Sequence, residues 1–136
     1  IAGMGFSNVG LGIVHSMAHP LSAVYDIPHG VACAILLTPV LKFNAPSTAD
    51  KYRDIAVAMG VKNTEDMSIE QARQACIEAV EKLSVDVGIP QKLTQLGVKE
   101  EDLQFLSESA FVDACTPGNP RNVSVEAIKE IYKSIM

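Results

Sequence analysis

A chain of 136 residues is long enough to bury one compact core, and 48% hydrophobic with 20% charged residues marks it as globular rather than disordered. Sixteen acidic against eleven basic side chains give a net charge of −5, and no basic cluster interrupts the sequence. Nucleic acid and an anionic membrane surface are thereby excluded as natural partners.

Cys33, Cys76 and Cys115 are odd in number and far apart, so neither a disulfide framework nor a cysteine-built zinc site is expected. A reducing cytoplasm fits that usage. No signal peptide is visible, and the longest apolar run, residues 31–37, is too short to span a bilayer. The chain opens "IAGMGFSNVG" without an initiator Met, and is expected to be a piece beginning partway through a larger protein.

Almost every segment predicts helix. Phe6 to Tyr25 reads as a buried helix or a pair of helical pieces, with a kink or break at Pro20, which lacks a backbone donor. "DIPHG" is a turn. "VACAILLTPVLKF" is apolar on all sides and reads as a core helix, although its periodicity also admits a strand. Ser47 with Asp50 resembles a capping box for a helix that Gly60 ends. Ser68 with Gln71 repeats the signature ahead of Ala72, Ala75, Cys76, Ala79, Val80, Leu83 and Val87 at helical steps, and Gly88 and Pro90 close that segment.

A short helix is predicted over Pro90 to Leu96, ending at Gly97. Another carries Leu103, Leu106, Ala110 and Ala114 on one face. "CTPGNPRN" reads as a loop, and Ser124 caps a last helix bearing Ile128, Ile131, Tyr132 and Ile135. The predicted fold class is a compact all-α domain.

All three histidines fall within "HSMAHPLSAVYDIPHG". On a helix, His15 and His19 share one face about a turn apart, and the turn that follows lets His29 fold back beside them. Converging imidazoles suit divalent iron, nickel or zinc. The HxxxH spacing is also that of helical zinc proteases, but those need Glu after the first His, and Ser16 stands there. Apolar flanks make unpaired imidazoles costly to bury. Asp26 is a further ligand candidate, with a cap or Asx-turn role as the alternative.

"GLGIVHSMAHPLSAVYDIPHGVACAILL" resembles the signature region of the iron-containing alcohol dehydrogenases, G-L-x-x-x-H-x-x-A-H-x-L-G-A followed by P-H-G-x-A-x-A-I-L-L. The likeness continues through "KYRDIAVAMGV", "DVGIP" and "CTPGNPR" and covers essentially the whole chain. It implies the C-terminal helical half of a two-domain, dehydroquinate synthase-like architecture, whose N-terminal α/β domain binds NAD(P). The implied activity interconverts small primary alcohols or diols with aldehydes, and the chain alone is expected to lack it. In the family one Asp and three His hold iron, with zinc and nickel as alternatives. Two of the histidines match His15 and His29, while the Asp and the other His belong to a helix before residue 1.

His19 matches the histidine suited to proton relay. Phe6 and Cys115 match residues near the substrate cleft, although packing is the simpler account of Cys115 and an equal one of Phe6. The departures are Ser22 in place of Gly, and the proline of "LLTP" moved by one. The implied partners are the small alcohol or aldehyde, the chain's own N-terminal domain and a homo-oligomer mate. Two alternatives stay open. One is a dehydroquinate synthase-like enzyme, which needs a basic phosphate pocket. The other is a helical interaction module whose histidines are separately buried with no common focus. In a half-built metal site the His15 and His29 ring nitrogens should lie no more than about twice the ~3.4 Å of two tetrahedral ligands apart.

Overall fold

The computed structural model describes all 136 residues except the side chains of Ala2 and Phe6. Seven α-helices run in order: α1 Ala2–Val9, α2 Ile13–Tyr25, α3 His29–Asn44, α4 Lys51–Ala58, α5 Ile69–Asp86, α6 Leu103–Phe111 and α7 Val125–Lys133. No strand occurs among the described residues, so the apolar run after His29 is a helix.

The stretch from Phe6 to Tyr25 is a pair of helical pieces, one of the two readings the sequence allowed. The break falls at Gly10 to Gly12, where Gly10 has φ of 79°, a conformation that disfavours any side chain. Pro20 sits inside α2 without ending it, and Pro39 does the same in α3. The expectation of burial from Phe6 onward also fails for the opening piece, since Ser7, Asn8 and Val9 are exposed.

The main core joins α2, α3, α6 and α7. Ile13, Met17 and Leu21 from α2 meet Leu36 from α3, Leu103 and Leu106 from α6, and Ile128 and Tyr132 from α7, all fully buried. Each such aliphatic side chain contributes about 1.5–3 kcal/mol through loss of contact with water. The Tyr132 hydroxyl donates to the Met17 carbonyl at 2.6 Å, and burial pushes its pKa far up, so it remains a neutral donor. At the other end of α2, Tyr25 donates to the Asp102 carboxylate and accepts from the Lys99 N–H.

Helices α4 and α5 form an annex with its own small cluster of Tyr52, Ala56, Cys76 and Ile77. The Ser68 capping box is present in full: Gln71 N–H reaches Ser68 Oγ at 3.2 Å, and Ser68 N–H reaches Gln71 Oε1 at 2.8 Å. The other predicted box is absent. Ser47 lies in a 3-10 turn, Asp50 makes no side-chain cap, and its carboxylate pairs with Arg53 at 2.9 Å instead.

Three further boundaries shift. Only a 3-10 turn, Leu93–Leu96, forms where a short helix from Pro90 is predicted. Helix α6 stops at Phe111, leaving Ala114 exposed, because Asp113 turns back to accept from the Cys115 N–H. The "CTPGNPRN" loop contains a 3-10 turn at Thr116–Gly118. Helix α3 continues into the next turn, so residues 29–47 are long and apolar enough to cross a membrane, with mean hydropathy 1.2. In the fold this helix is a core element, burying Ile35, Leu36 and Val40 against its neighbours.

Candidate metal and proton-relay site

The site stands where the start of α2, the start of α3 and the loop after α6 meet. That loop is locked to α2 by close backbone approach. A Cβ on Gly118 would lie 2.0 Å from the Leu11 carbonyl oxygen, so only glycine fits. Asn119 and Asn44 exchange side-chain hydrogen bonds at 2.8 and 3.0 Å, which holds the loop to the end of α3. Arg121 donates to the Phe43 carbonyl at 2.6 Å and stacks 4.2 Å from the Phe43 ring. In the interior the Thr116 hydroxyl bonds to the Ala110 carbonyl at 2.6 Å and lies 2.8 Å from the Ser16 hydroxyl.

On this frame the three histidines converge. Ring centroids are 5.5 Å apart for His15 and His29, 5.3 Å for His19 and His29, and 6.5 Å for His15 and His19. The pattern is not that of separately buried histidines. One donor atom each from His15, His29 and Cys33 lies within 4.8 Å of the others. That is inside the limit set for a half-built metal site.

Burial lowers the His15 pKa below 6.5, the neighbouring His29 and His19 rings act in the same direction, and Asp113 partly opposes them. The neutral form so favoured is the one that binds metal. The donor set therefore fits a divalent transition metal.

His19 is more exposed, and its Nδ1 lies 2.8 Å from Asp113 Oδ2. That contact assigns the Nδ1 proton to the Asp113 side and leaves Nε2 free. Burial alone would raise the Asp113 pKa. Hydrogen bonds from the Cys115 N–H, from His19 and from the Cys115 thiol outweigh it and hold the carboxyl below its usual range. Burial, then the hydrogen bond and charge of Asp113, push the Cys115 thiol up, so it is a protonated neighbour of the dyad rather than a thiolate.

Sequence reasoning misses Asp113. The available signal is an acid two residues before Cys115, the residue that the resemblance puts near the substrate cleft. It also misses Cys33 as a neighbour of His29, although the two stand four apart on α3. Asp26, by contrast, belongs neither to the His15, His29 and Cys33 grouping nor to the one formed by His19, Asp113 and Cys115. It is the left-handed C-cap of α2, with φ of 54°. Phe6 falls outside the described residues, and no side-chain position is assigned to it. Shallow recesses flank the centre. One of about 250 Å³ is lined by His19, Val24, Phe105 and Asp113, and one of about 510 Å³ by the glycine break, His15, Lys51 and Asn119.

The family model of the C-terminal part of Fe-containing alcohol dehydrogenases matches residues 1–136. Lactaldehyde reductase of Escherichia coli (strain K12) is 58% identical over 132 residues, covering 97% of this chain and 34% of that protein. The 1,3-propanediol dehydrogenase of Citrobacter freundii is 45% identical over 133 residues, 98% of this chain and 34% of that one. Among solved structures, an alcohol dehydrogenase from Oenococcus oeni superimposes with a TM-score of 0.94 at 39% identity, over 99% of this chain and 35% of that chain. The chain thus spans about a third of the length of the curated relatives it matches.

Proposed function

The chain belongs to the Fe-containing alcohol dehydrogenase family, and on that premise we propose that it is the metal-holding helical domain of an enzyme interconverting small primary alcohols or diols with aldehydes. A separate N-terminal domain binds NAD(P) and supplies the remaining ligands. The observation that carries the reading is the convergence of His15, His19 and His29, with His19 tied to Asp113. Lactaldehyde reductase and 1,3-propanediol dehydrogenase, by their names, turn over small oxygenated substrates of this class.

His15 and His29 hold the divalent cation, iron by analogy with the family. When bound, that cation acts as a Lewis acid on the alcohol or carbonyl oxygen. His19 takes or returns the substrate's hydroxyl proton through Nε2, and Asp113 keeps the imidazole in the tautomer that makes this possible. The Cys115 N–H holds the Asp113 carboxylate, and Cys115 and Phe6 are assigned to the substrate side by resemblance alone. The exposed apolar residues of α1 are a surface for the N-terminal domain to cover, and in its absence a cause of self-association.

Titration calorimetry with divalent iron, zinc and nickel under anaerobic conditions tests the metal assignment. The 136-residue chain should bind one equivalent, and His15→Ala or His29→Ala should lose it. Unchanged binding in both variants would sink the assignment. In the full-length protein, His19→Asn should lower kcat by about 10²–10⁴-fold while leaving metal content intact. The chain alone should reduce aldehydes with NADH at no enzymatic rate.

A further inference from the structure

We propose that Cys33 is a third metal donor from this chain, adding a thiolate sulfur to the His15 and His29 imidazole nitrogens and raising the site's affinity for zinc relative to iron. The inference rests on the metal role given to His15 and His29 above. His29 and Cys33 stand four apart on α3 and therefore share a face of the helix. Cys33 Sγ lies 3.4 Å from His29 Nε2. Tetrahedral zinc with a Zn–S bond of about 2.3 Å and Zn–N of about 2.05 Å sets these two donors about 3.6 Å apart. The pair is thus at ligand spacing without rearrangement, and the His15 donor lies within 4.8 Å of both.

Cys33 is half-buried while His29 is exposed, so a cation has access from the His29 side. A thiolate is a soft ligand and shifts preference toward zinc, whereas harder donors suit iron better. On coordination the thiol proton leaves to solvent. The competing account of the 3.4 Å contact is an S–H···Nε2 hydrogen bond, which would occupy His29 and keep the sulfur off the metal.

Cobalt(II) as a spectroscopic probe separates the two. Titrated into the chain, it should give a near-ultraviolet thiolate-to-cobalt charge-transfer band that excess zinc abolishes. Cys33→Ala and Cys33→Ser, both checked for native helicity by circular dichroism, should lack the band and bind zinc about 10–100-fold more weakly. Iron(II) affinity should change less than zinc affinity in both variants. Binding lost in His15→Ala but unaltered in Cys33→Ala would overturn the thiolate role and leave the histidine site standing. A band that survives in Cys33→Ala and disappears in Cys115→Ala would place the thiolate beside His19 and overturn the inference. Zinc binding indifferent to His15, His29 and Cys33 together would remove the histidine site as well.

Discussion

The annex of α4 and α5 and the histidine corner of α2, α3 and the loop after α6 are built in opposite ways. The annex is held by local devices: a capping box, a short apolar stripe and exposed ion pairs such as Lys82 with Asp86 at 2.5 Å. The corner is held by long-range polar contacts, such as Asn44 with Asn119 and His19 with Asp113, between residues 75 and 94 positions apart. Local devices are easily written in sequence and tolerate change. A site needs groups from distant segments fixed to a fraction of an ångström, which only packing provides.

The contrast can be broken most forcefully at the core beneath the corner. Leu106→Ala removes a fully buried side chain and should cost about 2–5 kcal/mol in denaturant unfolding. Ile77→Val in the annex should cost only about 0.5–1.5 kcal/mol by the same measurement. If the two losses prove equal, the annex is as integral to the fold as the core.

Gly118→Ala is next. Its new methyl meets the Leu11 carbonyl, and the loop must shift to accommodate it, at about 1–3 kcal/mol. In the full-length protein kcat should fall too with metal content kept, because the displaced loop carries Asp113 away from His19. Unchanged kcat in a folded Gly118→Ala protein would show that the loop does not position the dyad.

Smaller effects compare the two helix starts within the annex. Ser68→Ala should cost about 1 kcal/mol, since its hydroxyl satisfies a helix N–H. Asp50→Ala should fall within about 0.5 kcal/mol, because its carboxylate makes only an exposed ion pair. Thermal melts of the two variants decide the matter.

The smallest expected effect is one of pH. The folded Asp113 carboxyl is held below 3.8, so the folded state binds fewer protons there than the unfolded chain. Its contribution to stability is present above that value and is lost as pH falls through the folded pKa. Asp113→Asn should therefore flatten the acid limb of a stability profile and leave the slope above about pH 5 unaltered. An unchanged acid limb would remove Asp113 as its source.

The helical class, most helix positions and the family are all legible without the structure. Periodicity, capping residues and the histidine motif are short-range patterns, contained in a window of a few residues. Features that depend on competition between neighbours are misplaced by such patterns. Asp50 found Arg53 rather than a helix N–H, and α6 ended early because Asp113 bonded to Cys115. The first helix broke at Gly10 rather than Pro20, since a helix tolerates one lost donor more readily than a run of glycines.

One feature of the site came from packing alone: His19 is held by Asp113, whereas Cys33 meets His29 through i,i+4 helical spacing and Asp26 takes the cap role its turn position allowed. The physical reason is distance along the chain. Partners 94 residues apart are brought together by the packing of α2 on α6, and no local pattern encodes that meeting.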